Sequence, residues 1–306
     1  MEVQSVRNLI QITKDTMPRA YIFRDFAKDI KLGHSIFALP FVGVALTLTG
    51  LPGVSILRIG QIIACMVLAR SFAMGMNRYL DRDIDAKNER TKIRAIPAGA
   101  VTPKGYLAVT LACGIGFIAM SLSLSDLSGK LSPFLLFVLA FYSYMKRLSW
   151  LTHWYLGMCL GLAPVAAEIA LFSRVSRPVL MVGVAVAFWT AGFDLLYSLQ
   201  DREFDTCNGL HSAPSKLGHR AAIWLSRISF ALMIAALLAA GRMADGGLWW
   251  NLGVTAVASI LVLEHWIIRG AMVTGKSEKI NLAFFNMNAL VSVVFFLFAV
   301  VNTYVR

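Results

Sequence analysis

Apolar residues in this chain gather into long runs separated by short polar connections. A helix that crosses the hydrocarbon core of a bilayer needs about 20 predominantly apolar residues. Nine runs fit: 34–50, 55–77, 103–124, 132–146, 152–172, 178–200, 220–240, 248–269 and 281–304, the fourth being the shortest. Thr102-Pro103, Ser132-Pro133 and Arg177-Pro178 each put Pro at an expected helix start, where its missing N–H costs nothing. Thr102 and Ser132 also supply a capping hydroxyl. Residues 19–32 differ. Ile22, Phe23, Phe26 and Ile30 share one helical face, with Arg24, Asp25, Lys28 and Lys31 elsewhere. That pattern predicts an amphipathic helix lying in the interface. The expected fold is all-α: an interfacial segment over 1–33, then one domain of nine transmembrane helices over 34–306.

Composition agrees with this pattern. Hydrophobic residues make up 58% and charged ones 15%, against about 25% charged in soluble domains. Such a chain is neither an ordinary soluble globule nor disordered. Cys65, Cys113, Cys159 and Cys207 are scattered without metal or disulfide spacing and read as small hydrophobes. The first 30 residues hold no apolar core of a cleavable signal.

The net charge of +12 could suggest nucleic acid, but its distribution is topological. Basic residues fill the N-terminal segment (Arg7, Lys14, Arg19, Arg24, Lys28, Lys31). They also fill the connection after the second run: Arg78, Arg82, Lys87, Arg90, Lys92, Arg94 and Lys104. Later even-numbered connections add Lys146, Arg147, Arg202, Lys216, Arg220, Lys276 and Lys279, and the odd ones carry few. The positive-inside rule then places the N-terminus and the even connections in the cytoplasm and the C-terminus outside. No nucleic-acid partner is expected; the lipid bilayer is.

Two segments break the apolar rule. Asn77, Asp81 and Asp85 are four apart at the end of the second run, and Tyr197, Asp201 and Asp205 repeat that spacing at the end of the sixth, with Asp194 before them. Residues four apart share a helix face, and like charges there repel. Carboxylates near a bilayer need compensation. Hard oxygen donors of this kind suit Mg²⁺. The segments align at a constant offset of 120, with Asn88 over Asn208, and Pro and Gly follow in each trailing loop. This suggests two related four-helix units plus a ninth helix, with the second and sixth helices facing each other across a cavity, where repeat proteins often bind substrate. Of the nearby basic residues, Arg94 and Lys146 are the best phosphate ligands, with Lys92 and Arg147 beside them; His34 is also near. Asp83 is expected to point away.

Asn77-x-x-x-Asp81-x-x-x-Asp85, then Arg90-Thr91-Lys92-x-Arg94-x-x-Pro97-Ala98-Gly99, and Asp201-x-x-x-Asp205 together resemble the UbiA superfamily of intramembrane prenyltransferases. The resemblance spans nearly the whole chain. Within it, Lys31-Leu-Gly-His34-Ser-Ile-Phe37-Ala-Leu39-Pro40 and Tyr142-Ser-Tyr144-Met-Lys146-Arg147 look like the branch of 4-hydroxybenzoate polyprenyltransferases. His211-Ser-Ala-Pro214-Ser-Lys-Leu-Gly218 is similar to relatives proposed to act in menaquinone synthesis by the futalosine route. Many members carry Asn-Asp where Arg78 follows Asn77 here.

The resemblance implies nine helices around a central cavity capped by cytoplasmic loops, and Mg²⁺-dependent transfer of a prenyl chain from polyprenyl diphosphate to an aromatic acceptor. It implies Asn77, Asp81, Asp85, Asp201 and Asp205 as metal ligands, and Arg94, Lys146, Arg147 and Lys92 as diphosphate ligands. Tyr142, Tyr144 and Tyr197 could face the allylic cation, and Asp194 could bind the acceptor or take its proton. The expected acceptor is 4-hydroxybenzoate, in quinone synthesis of the ubiquinone type. The alternatives are a naphthoate or futalosine-derived acceptor, or, outside enzymes, a secondary transporter. A transporter site is expected nearer the midplane. Among other polar groups, Arg70 and Glu168 are read as a buried pair, or Arg70 as snorkelling, and Glu264-His265 as interfacial.

Overall fold

The computed structural model describes residues 19–31, 39–50, 53–274 and 277–305, with the side chains at 19–21 and 269–285 outside that description. His34, Phe37, Arg7, Lys14, Lys276 and Arg306 therefore lie outside the described residues, as do the side chains of Arg19, Arg269 and Lys279. The described helices are α1 (Arg19–Asp29), α2 (Leu39–Thr49), α3 (Ile56–Leu80), α4 (Arg82–Asp85), α5 (Pro103–Leu124) and α6 (Asp126–Leu148). They continue as α7 (Thr152–Phe172), α8 (Arg177–Tyr197), a 3₁₀ turn (Ser198–Asp201), α9 (Arg202–Cys207) and α10 (Ala213–Leu217). The chain ends with α11 (His219–Met243), α12 (Leu248–Thr274) and α13 (Ser277–Tyr304).

Among the described residues, eight helices are long and apolar enough to cross a membrane, and α2 is a shorter apolar helix within the first expected span. The long helices form a ring in which sequence neighbours pack: α3, α5, α6, α7, α8, α11, α12 and α13. α2 packs on α13, α7 and α8. A cavity of about 360 Å³ lies inside, lined mainly by α3, α6 and α7, with Trp189 and Phe193 from α8 and Asn288 from α13. The second and sixth spans both line it, as the paired motifs led us to expect.

Two local expectations need correction. The fourth span is not a short helix begun by Pro133. α6 starts about two turns earlier, where the Ser125 side chain accepts from Ser128 N at 3.2 Å. Pro133 sits inside the helix, where it cannot donate to the Gly129 carbonyl four residues back. The neighbouring Ser132 hydroxyl donates to that carbonyl at 2.7 Å, so the acceptor stays satisfied. The amphipathic helix α1 also departs from its pattern. Phe26 and Ile30 pack against Ala95, Ile96, Val101 and Tyr106, while Phe23 is exposed. Asp29 accepts from Ala95 N at 3.1 Å and from the Tyr106 hydroxyl at 2.8 Å. α1 is thus latched onto the connection between α4 and α5, the connection that carries the site's arginines.

The α7–α8 contact depends on glycine. A Cβ on Gly157 would lie 2.1 Å from the Ala187 carbonyl oxygen, and one on Gly161 would lie 2.4 Å from that of Gly183. Small residues four apart let two backbones touch, the usual device for close helix pairs in lipid. This approach brings the start of α7 against the end of α8. Overpacking a seam of this kind costs about 1–3 kcal/mol, so Gly157→Val is expected to lower the thermal unfolding midpoint in detergent. Gly60→Ala, where no atom lies within 4 Å of the new Cβ, should leave it unchanged or raise it. Equal midpoints for Gly157→Val and the parent would contradict the packing account.

Candidate active site at one end of the bundle

The two acidic motifs carry the same backbone break at their central aspartate. Asp81 has φ −93° and ψ 4°, and Asp201 has φ −95° and ψ 1°. Both values lie in the bridge region between helix and strand: α3 ends just before Asp81, whereas α8 ends at Tyr197 and a 3₁₀ turn carries the chain to Asp201, and a new short helix begins after each aspartate. The spacing anticipated one continuous face; instead Asp85 and Asp205 sit on separate turns, α4 and α9, and both are buried. The matching dihedrals at an offset of 120 residues give the proposed duplication a backbone counterpart.

Each carboxylate holds one basic side chain. Arg147 donates to Asp81 at 2.9 Å and to the Leu80 carbonyl at 2.8 Å. Arg94 lies 2.5 Å from Asp85. Arg90 grips Asp201 with both ends of its fork, at 3.1 and 2.8 Å, and reaches the Tyr197 hydroxyl at 3.3 Å. Lys146 Nζ lies 3.4 Å from Asp205. Asn77 donates to Asp81 at 2.8 Å and accepts from Arg78 at 3.1 Å. Arg78 in turn lies 3.7 Å from Asp29 of α1.

These pairs span elements distant in sequence. The connection after α4 supplies Arg90 to the end of α8, and the end of α6 supplies Lys146 and Arg147 to both motifs. Burial pushes the Asp81 carboxyl above its ordinary range, against the pull of Arg147. At Arg90 burial acts downward, but the charges of Asp201 and Tyr197 outweigh it and raise the guanidinium. Burial lowers Lys31, and repulsion from Arg78, Arg90 and Arg94 lowers it further. The crowding of cations marks this end of the bundle as a place for anions.

Most of the expected residues meet here, and some do not. Tyr142 lines the cavity beside Asn77. Tyr144 is exposed and stacks on Phe141 and Arg147, away from the cavity lining. Tyr197 lies under Arg90, 5.7 Å from ring centre to guanidinium. Lys92 pairs with Glu89 and stands apart from the four acids. Asp83 points outward, as expected, toward Arg82. Glu168 accepts from Ser176 N at 2.8 Å and lies 3.7 Å from Arg174, at the far end of α7, so the expected pairing with Arg70 is replaced. Arg70 lines the cavity. Glu264 is wholly buried and accepts from Asn288 at 3.3 Å, so it is not interfacial.

Two participants escape a reading by motif. Arg90 stands in the quoted basic run, but its partner lies 111 residues away. His153 is wholly buried at the start of α7, with Nδ1 2.7 Å from the Asp194 carboxylate. The only local signal for it is a histidine just after Lys146-Arg147, at a helix start.

Among the described residues no three His, Cys, Asp or Glu side chains converge on one point. The donor set nevertheless fits Mg²⁺: four carboxylates and an amide, all hard oxygen donors. Charge counting supports the fit. Four carboxylates face four chain cations, so the cluster is close to neutral, and a diphosphate entering it brings negative charge that further cations must balance.

Comparison with known proteins agrees with the geometry. The family model described as "UbiA prenyltransferase family" matches residues 38–302. A 4-hydroxybenzoate octaprenyltransferase of Thiobacillus denitrificans is 32% identical over 67% of this chain and 69% of its own. One of Paraburkholderia phymatum is 30% identical, over 72% and 76%. Among solved structures, the apo form of a UbiA homolog from Aeropyrum pernix K1 superposes with a TM-score of 0.77 at 28% identity, covering 88% of this chain and 98% of that one. A UbiA homolog from Archaeoglobus fulgidus, bound to GPP and Mg²⁺, shares the fold with a TM-score of 0.68 at 18% identity, over 92% and 100%. The chain belongs to the UbiA prenyltransferase family and is an integral-membrane prenyltransferase.

Proposed function

We propose that this enzyme transfers a polyprenyl chain from polyprenyl diphosphate to 4-hydroxybenzoate, with Mg²⁺, in quinone synthesis of the ubiquinone type. In this reading the acidic end and the even connections face the cytoplasm, as the basic connections suggest. One observation carries it: the acid–base cluster stands at the end of an apolar cavity whose lining, among the described residues, holds a single charged one, Arg70. Arg70 precedes Asn77 by seven residues on the same helix. It therefore lies roughly 10 Å deeper on nearly the same face. A small aromatic acid held by its carboxylate at Arg70 would point its ring toward the cluster. The relatives named 4-hydroxybenzoate octaprenyltransferase support that choice of acid.

Asn77, Asp81, Asp85, Asp201 and Asp205 would hold Mg²⁺, which neutralises the diphosphate as a leaving group. Arg90, Arg94, Lys146 and Arg147 are then released from their carboxylates to phosphate oxygens, the guanidinium forks binding bidentately. As the allylic C–O bond breaks, its electron pair leaves with the diphosphate. The cation left on the prenyl carbon lies against the faces of Tyr142, Trp189 and Phe193. The aliphatic lining keeps water from it. A ring carbon of the acceptor forms the new C–C bond, and the proton lost from that carbon passes to the Asp194 carboxylate.

Two measurements check this reading. Asp81→Asn and Asp201→Asn should each cut prenyl transfer at least about 100-fold while membrane insertion stays normal; near-normal transfer in either would remove the metal assignment. Arg70→Ala should raise KM for 4-hydroxybenzoate by about 10- to 100-fold, the worth of a charged hydrogen bond. It should leave KM for polyprenyl diphosphate within about twofold, since the diphosphate is held by the cluster and not by Arg70. Equal rises in both KM values would contradict an acceptor role for Arg70. An acceptor panel that adds a naphthoate and a futalosine-type compound separates the menaquinone alternative: a product from either one, with none from 4-hydroxybenzoate, would favour it.

A further inference from the structure

His153 has both ring nitrogens engaged. Nε2 lies 3.2 Å from the backbone N–H of Ala213, at the start of α10. A backbone N–H can only donate, so Nε2 must offer its lone pair. The ring proton then sits on Nδ1 and is donated to Asp194 at 2.7 Å. The histidine is thus held as one tautomer by two groups from different parts of the chain. One is the carboxylate on α8, and the other is the segment that trails the second acidic motif.

That segment folds over the same end of the bundle. Ser212 caps α10 by accepting from Ser215 N, and the Ser215 hydroxyl accepts in turn from Ser212 N at 2.9 Å. The N–H of His211 donates to the Lys146 carbonyl at 2.6 Å. Ser212 and Ala213 are wholly buried. The segment is therefore tied at His211 to the end of α6, which carries Lys146 and Arg147, and at Ala213 to the start of α7, which carries His153.

We propose that His153 is a positioning residue of the transfer reaction. As the Nδ1–H tautomer it orients Asp194 toward the acceptor ring, and through Nε2 it couples that orientation to the seating of the cap segment 208–217. Docking of the cap over the diphosphate end and aiming of the proton-accepting carboxylate then become one event. The inference rests on the transfer reading above, which supplies the ring proton that Asp194 would accept.

Two substitutions separate the two bonds. In His153→Asn the amide nitrogen lies near the position of Nδ1 and can still donate to Asp194, while the acceptor for Ala213 is lost. In His153→Gln the amide oxygen can reach the position of Nε2 and accept from Ala213, while the donor to Asp194 is lost. With purified full-length protein, His153→Asn should speed hydrogen exchange of the 208–217 amides at least tenfold. His153→Gln should leave that exchange unchanged and lower kcat at least tenfold, with KM for both substrates within threefold. In the parent, ring ¹⁵N shifts of His153 should show a protonated Nδ1 and a bare Nε2. Protonation at Nε2, parental kcat in His153→Gln, or parental exchange of the 208–217 amides in His153→Asn would overturn the proposal. If the parent transferred no prenyl group, the transfer reading would fail on its own, and the tautomer and the exchange would still test the tether.

Discussion

Four carboxylates at one end of a helical bundle, each held by one basic side chain, are the constraint on which the rest of the structure depends. Asp85 and Asp205 are buried. Ions taken out of water are costly unless paired and hydrogen-bonded, and removing one partner leaves an uncompensated charge. The pairing partners come from two segments, the connection after α4 and the end of α6, so satisfying the acids forces those segments to converge. α1 contributes to the same convergence, since Asp29 receives the backbone of Ala95 and lies beside Arg78. The bundle below is apolar and needs only to be long enough and closely packed, which the glycine contacts of α7 and α8 provide.

A neutral cluster of this kind is poised for exchange. Its cations sit on carboxylates in the structure, and the same cations suit phosphate oxygens. A divalent ion that took over the carboxylates would free them to do so. In the proposed reaction the cluster would then pass charge between chain, metal and substrate. Placing it at the end of a cavity lined by aliphatic and aromatic side chains keeps a reactive cation from water while the anion stays near the polar end.

Much of this was legible in the sequence. The apolar runs foretell the helices because lipid leaves a backbone little choice but to bond internally. The acid spacing foretells the gathering of four acids at one end of the bundle, because carboxylates at a helix end near a bilayer need compensation. What escaped has physical reasons. Pro133 looked like a helix start because a hydroxyl preceded it; the same hydroxyl instead caps the carbonyl that Pro133 leaves open, a role visible only once the helix is traced through. The breaks at Asp81 and Asp201 have no local marker such as Gly or Pro at those positions. The partners of Arg90 and His153 lie 111 and 41 residues away, and periodicity carries no information over such distances. Glu168 and Arg70 looked like a pair because both are charges within spans, but Glu168 meets Ser176 and Arg174 at the far end of α7 while Arg70 lines the cavity.

The exchange of chain cations for metal is tested most directly by titrating Mg²⁺ into the purified protein, with and without a non-reactive polyprenyl diphosphate analogue, in the parent and in Arg90→Ala. Binding free energies are reciprocal. The analogue should therefore tighten Mg²⁺ binding at least about tenfold in the parent, and Arg90→Ala should tighten Mg²⁺ binding in its absence by freeing Asp201. Mg²⁺ affinity that responds neither to the analogue nor to the loss of Arg90 would contradict the exchange and leave the four ion pairs as structural alone.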